Sequence, residues 1–386
     1  MLREAPKWFP RALPGLLAVA AAGVAGAAVL PEDRADVLYH EYSGGGVTVN
    51  GPSVLVRKQV GEKFSVVGNY YVDEVSSASV DVEMAASEYS ERRVQQSLGV
   101  DYLRGGTIMS LSYANSSESD YEANTASLSI SQDMFGDLTT VTLGFERGWD
   151  TVGQSTDPSF ERDVDRRNYR FGLSQILTKN LIATLNYEAV TDEGHLNNPY
   201  RSYRFYDADN PDQFNLASEN GKYPRTRTSG AARVGLKYFL PWRAAVYASY
   251  RYFDDTWDIR ADTYEVGYTH TLDSGWVFDL SYRHYTQTKA EFYADIFERQ
   301  DQQNFMARDK ELSTYQARTV GAGVSYDFLE NGWGFIDRGS VNLFLDHMRF
   351  TYDDFRDATA EGYAAGEEPL YEFDALVTRA FISIWY

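Results

Sequence analysis

In RTVGAGVSYDFL, Val320, Ala322, Val324, Tyr326 and Phe328 fall on one side of an extended chain, and Gly321, Gly323, Ser325 and Asp327 fall on the other. Side chains alternate with period two along a strand, so one face is apolar and the other small and polar. GWVFDLSYRHY repeats the pattern, with Trp276, Phe278, Leu280 and Tyr282 against Asp279, Ser281 and Arg283. In DTYEVGYTHTL, Tyr264, Val266 and Tyr268 oppose Glu265, Gly267 and Thr269. LIATLNYEAV sets Leu181, Leu185 and Tyr187 against Thr184, Asn186 and Glu188. TTVTLGFERG sets Val141, Leu143 and Phe145 against Thr142, Gly144 and Glu146. Such segments approach the roughly 9–11 residues that a tilted membrane-spanning strand requires. Two stretches fit less well: SVNLFLDHMRF is apolar on both faces, and SVLVRKQV is mixed.

The connections alternate in length. Short turns are read at VGEKF, LRGGT, MFGDL, LTKN, FLPWR, LDSGW and LENGWGFIDRGS, and between them lie long polar stretches such as DEGHLNNPYRSYRFYDADNPDQFNLASENGKYPRT. Seven such turns make seven hairpins. A strand near DVLYHEYS before them and one after them bring the total to about 16, the even number a closed bacterial barrel wants. The pattern predicts an all-β fold, a single closed antiparallel transmembrane β-barrel with short periplasmic turns and longer extracellular loops. A soluble sandwich also alternates. Against it stand Trp242, Trp276 and Trp385 near strand ends and opposite faces uniformly made of Gly, Ser, Thr and charges.

The last stretch, ALVTRAFISIWY, places Ala380, Ile382, Ile384 and Tyr386 on one face and Ser383 and Arg379 on or near the other. In a barrel the final strand closes the sheet against the first. An alternating apolar strand with a terminal aromatic resembles the signal by which the barrel insertion machinery of the outer membrane recognises its clients. That machinery, together with outer-membrane lipid and lipopolysaccharide, is the expected set of partners, and other envelope proteins are possible ones.

At the other end, Arg3, Lys7 and Arg11 precede an apolar run from about Leu13, and Ala25, Ala27 and Ala28 precede Glu32 and Asp33. This layout is that of a cleaved secretory signal over residues 1–28, leaving 29–386 as the barrel. The run is short for a spanning helix, which needs ~20 apolar residues. The expected location is therefore the outer membrane of a Gram-negative cell, reached through the periplasm. Composition agrees with that setting: of 386 residues, 29 are Tyr, whose ring and hydroxyl suit the boundary between lipid and water. The formal charge of -20 argues against a nucleic-acid backbone as partner, and the absence of Cys excludes disulfides and thiolate chemistry.

Several stretches carry a further resemblance: DVLYHEYSGGGVTVNGPSVLVRKQVGEKFSVVGNYYVDEVSSASVDV, LGVDYLRGGTIMSLSY, SQDMFGDLTTVTLGF, DRRNYRFGLSQILTKNLIATLNYEAVTDEGHLNNPYRS and DTWDIRADTYEVGYTH. From about residue 34 onward the chain resembles the bacterial family of domain of unknown function 3570. The resemblance implies a Gram-negative outer-membrane β-barrel and brings no catalytic or binding residues with it.

Alternation points Glu146, Arg170, Glu188, Arg233, Lys237, Arg251, Glu265, Asp279, Arg283, Asp327 and Arg379 at the lumen. Acids and bases nearly balance in that set, so the acidic surplus is expected mainly in the loops. Cross-strand ion pairs are the plain reading, and a polarised constriction that selects a solute is the sharper one. No enzyme is expected, because His270 and His284, with Ser281 and Thr269 nearby in sequence, come without a nucleophile signature. No metal or cofactor is expected either. His40, His195, His270, His284 and His347 are scattered, and Asp207, Asp209 and Asp212 lack the glycine and distal glutamate of a calcium loop. SGGGVTVNGP has no lysine to make a phosphate loop and reads as a turn. Three functions remain: a channel or transport component for small solutes or ions, an assembly partner with a plugged lumen, and, with least support, a barrel-embedded hydrolase.

Overall fold

The computed structural model describes residues 28–77, 89–329 and 332–386. The expected signal segment lies outside them, except for Ala28. The first half of the wall comprises β1 (Arg34–Gly44), β2 (Val47–Val60), β3 (Phe64–Ser77), β4 (Tyr89–Arg104), β5 (Thr107–Ser117), β6 (Tyr121–Met134), β7 (Thr139–Gly153) and β8 (Glu161–Thr178). Next come β9 (Leu181–Gly194), the short β10 (Ser202–Tyr206) and β11 (Phe214–Ser218), then β12 (Thr226–Leu240) and β13 (Ala244–Asp255). β14 (Arg260–Thr271), β15 (Trp276–Gln287), β16 (Tyr315–Phe328), β17 (Arg338–Arg356) and β18 (Leu370–Trp385) complete the chain. Sixteen of these strands form one closed barrel, each paired with its neighbours in chain order, while β10 and β11 form a separate ribbon on the loop between β9 and β12.

Closure is made by β1 against β18, in register from Arg34 opposite Trp385 to Gly44 opposite Ala375. A closed sheet has no free edge, so every strand can satisfy its backbone hydrogen bonds inside lipid. The side-chain alternation explains the rest. Leu98, Leu111, Leu143, Val234, Leu280 and Val320 are exposed on the outer wall. Apolar surface so continuous is unfavourable in water and suited to an acyl-chain surround. Trp242, Trp276 and Trp385 all lie at the rim of short turns; Trp276 leans on Tyr326 with centroids 4.8 Å apart, and the Trp242 indole donates to the Tyr268 hydroxyl at 3.3 Å. Interfacial aromatic belts of this kind anchor a barrel at the edge of the hydrocarbon.

All seven turns read from the sequence lie on that same rim, and the long connections 195–225, 288–314 and 357–369 lie on the other. SGGGVTVNGP supplies a turn on the long-loop rim and the start of β2: Gly45 and Gly46 take φ of 58° and 75°, which residues with a Cβ adopt reluctantly. The two ill-fitting stretches fall on β17 and β2. β17 is apolar on both faces because its inward rings have neighbours: Phe344 stacks on Phe381 and Phe350 on Phe373, with centroids 6.0 and 4.6 Å apart. Gly323 provides the bare backbone over which Phe344 lies, where any Cβ would collide with the ring.

Candidate functional site

The lumen wall carries cross-strand charge pairs. Arg170 on β8 meets Glu146 on β7 at 3.2 Å, Arg233 on β12 meets Glu265 on β14 at 2.9 Å, and Arg379 on β18 meets Asp346 on β17 at 2.7 Å. Arg251 on β13 comes only to 4.0 Å from Glu188 on β9, whose carboxylate already accepts from Asn168 at 2.8 Å. Asp279 accepts a hydrogen bond from Thr269 at 2.5 Å. Lys237 stands 5.5 Å from the Phe239 ring, and Asp327 lies at the short-turn end of β16. Arg283 is opposite Glu265 in register, yet among the described residues it has no ion-pair partner.

These groups are far from dry. The side chains of Arg170, Arg233 and Glu188 are 47%, 46% and 40% exposed, although they face inward halfway along their strands. A lumen filled by side chains leaves such groups buried, as in eight-stranded barrels; a 16-stranded wall leaves space for water.

Sequence alternation alone did not pick out much of the acid in the wall. Asp73, Asp101, Asp192, Asp255 and Asp346 lie on strands, paired with Arg93, Arg57, Arg166, Arg227 and Arg379. Each of these acids is matched by an arginine, so together they add no net charge to the wall. These partners become visible only once register is known, since each pair joins positions tens of residues apart.

At the long-loop rim the connections fold into a lid with its own core. Tyr223, Trp257 and Phe292 meet edge to face with centroids 5.2 to 5.7 Å apart. The cluster runs from Val152 and Val164 on β7 and β8 to Tyr352 and Phe355 on β17. Beside it, Arg204 and Arg308 are almost wholly buried, and both reach Asp295. Arg204 also holds Glu368 at 2.5 Å, and the Arg308 amide donates to Glu219 at 2.6 Å. Burial acts to raise the Glu368 carboxyl, but Arg204 and two backbone amides together hold it below the usual range. These pairs join three connections, through Arg204, through Asp295 and Arg308, and through Glu368.

The lid is tied to the β5–β6 and β7–β8 turns by Tyr200. Its hydroxyl donates to Asp120 in the β5–β6 turn and accepts from the Ser155 amide at 2.6 Å. Burial pushes Asp120 up to about 6 and neighbouring Glu118 up to about 7, with Glu91 adding repulsion in both cases.

The remaining candidates separate. His270 lies opposite Phe278 and bonds Tyr268 at 2.9 Å, whereas His284 lies opposite Tyr264, so they share no site. His40 bonds Asp73 at 2.7 Å, His195 packs edge-on to Phe160, and His347 lies 3.5 Å from Asp374. Asp207 folds back on the amides of Asp209 and Asn210 as the turn of the β10–β11 ribbon, with Asp212 in the same loop. Among the described residues no group of three or more metal-ligating side chains is gathered. On β18, Ala380, Ile382 and Ile384 share a face against β1, and the Tyr386 hydroxyl donates to the Arg57 carbonyl at 3.1 Å.

Closed wall, aromatic girdle and charged inner face define a β-barrel of the outer-membrane type. The chain belongs to the family described as Protein of unknown function (DUF3570), which matches residues 84–336. That match is shorter than the resemblance read from residue 34 onward. No curated protein matches the sequence. Among solved structures, a bacterial polysaccharide outer membrane secretin is similar in fold, with TM-score 0.51 and 9% identity over 92% of this chain and 99% of that one. A loop-deletion mutant of OmpT, an outer membrane protein of Vibrio cholerae, gives TM-score 0.42 and 9% identity over 92% and 98%. The copper transporter OprC gives 0.41 and 10% over 91% and 81%.

Proposed function

We propose that the protein sits in the outer membrane of a Gram-negative cell as a channel for small solutes or ions, narrowed at its outer mouth by the lid. The observation that carries this reading is the exposure of Arg170, Arg233 and Glu188 on the inner wall, which supports a water path because a filled barrel buries such groups. Export as a secreted precursor, recognition of β18 by the barrel insertion machinery and contact with lipid and lipopolysaccharide belong to the same reading, and no catalysis is invoked. Refolded protein inserted in a planar bilayer gives stepwise conductance if the reading holds. Silent bilayers, with insertion verified by recovery of folded barrel, reject it.

One feature favours a second reading. The lid has a buried aromatic and ionic core, and a mouth so covered suits an assembly partner whose lumen is plugged. Silent insertion together with stable co-purification of another envelope protein supports that alternative.

A further inference from the structure

We infer that the lumen holds a binding subsite for a small organic carboxylate with a planar aromatic body, built on Arg251 and Arg283 just below the lid. This deepens the channel reading, because the ligand reaches the subsite along the water path.

The first ground is charge left over by the wall itself. Arg233 and Arg251 stand directly opposite each other on β12 and β13. Like charges at directly opposed positions repel. Glu265 relieves Arg233 at 2.9 Å, and its other oxygen accepts from the Tyr247 hydroxyl at 3.2 Å, so both oxygens are turned to partners other than Arg283. Arg251 is left with Glu188 at 4.0 Å, a carboxylate already held by Asn168. Arg283 faces the lumen exposed, without an ion pair among the described residues, and only β14 separates its strand from that of Arg251, whose register partner Thr263 lies opposite Tyr285. Arg251 and Arg283 thus stand on either side of β14 and face water, with Glu265 between them turned towards Arg233. Guanidinium is a rigid fork that binds a carboxylate through two parallel hydrogen bonds, and a confined site strengthens the attraction relative to bulk water.

The second ground is what stands beside the arginines. The Arg283 guanidinium lies 6.0 Å from the Tyr285 ring. Tyr285 neighbours Tyr315 at 5.5 Å between centroids, and Tyr315 neighbours Tyr352 at 5.2 Å. This inward row continues to Phe373 and passes beneath the lid core. A flat ring whose carboxylate sits on Arg251 and Arg283 can lie against Tyr285 in the offset or edge-on arrangements that aromatic pairs favour. Acetate offers the same charge without that contact.

The test uses full-length refolded barrel in detergent, titrated with benzoate or acetate and followed by calorimetry. Heat-modifiable migration confirms the fold of each variant. Benzoate should bind the wild type and the Arg318→Gln variant alike, Arg318 being exposed on the outer face of β16. Arg251→Gln and Arg283→Gln should each weaken benzoate by about tenfold or more, the loss of a charge-assisted hydrogen bond, and Arg283→Lys should restore part of it. Acetate should bind more weakly than benzoate. Wild-type protein that ignores benzoate, equal binding by acetate, or variants that bind as wild type does would each overturn the subsite. Bilayer recording separates this result from the channel reading. Conductance without a benzoate effect on either binding or current removes the subsite alone, and binding without conductance removes the channel alone.

Discussion

At the scale of single residues, Tyr386 joins β18 to β2 by donating to the Arg57 carbonyl, with the Lys58 ammonium 4.9 Å above its ring. Tyr386→Asp removes both contacts and sets a carboxylate beside the apolar face formed by Ile382 and Ile384. Yield of heat-modifiable barrel in the outer-membrane fraction should fall several-fold at unchanged synthesis, and unchanged yield would contradict the proposed role of this strand in closure and insertion. The lumen residues show how far single positions were legible. Period two sufficed to set Arg233, Arg251, Glu265 and Arg283 on one face of their strands, because alternation needs no partner. It could not select Asp346 as the neighbour of Arg379, since β17 carries Phe344 and Phe350 on the same inward face and its apolar periodicity is blurred.

At the scale of elements, the seven short turns were legible because Gly, Pro, Asn and Asp punctuate them, and each joins two strands. The lid was not. Its polar stretch hides SYRFY and FNLAS, which pair as β10 and β11 and bury Tyr203, and its core draws on four connections far apart in sequence, through Phe160, Tyr223, Trp257 and Phe292. Arg204→Met should leave Asp295 and Glu368 buried without their shared cation, a loss of about 3–5 kcal/mol for a broken buried pair. Loops 195–225 and 357–369 should then become protease-sensitive while the barrel keeps its heat-modifiable migration; resistant loops would contradict the lid. The latch at Asp120 predicts a pH dependence. Its carboxyl and that of Glu118 are raised in the folded protein to about 6 and about 7, so the fold there binds more protons than the unfolded chain. Stability at the latch is therefore greatest at the acid end, falls as pH climbs from the ordinary carboxylate range, and levels off above about 7. Hydrogen exchange around Tyr200, corrected for its intrinsic pH dependence, should show more frequent opening at pH 8 than at pH 5, and the reverse order would contradict the assignment.

At the scale of the whole molecule, sixteen strands, an apolar exterior with aromatic rims and a charged interior follow from one repeated rule, the alternation of side chains on a sheet that closes. What alternation does not contain is the state of the interior, since the same inward faces serve a water path or a plug. Whether the interior holds water can be measured directly, because the chain has no cysteine to confuse labelling. Ser281 and Leu280 are neighbours on β15, the first on the inward face and the second exposed among the lipid-facing residues. Single-cysteine variants at these two positions, reconstituted in liposomes and treated with a charged, water-soluble maleimide, report which side meets water. A water-filled lumen predicts rapid labelling of Ser281→Cys and protection of Leu280→Cys; protection of Ser281→Cys in a correctly folded barrel would mean that the lumen is closed to water and would contradict the channel.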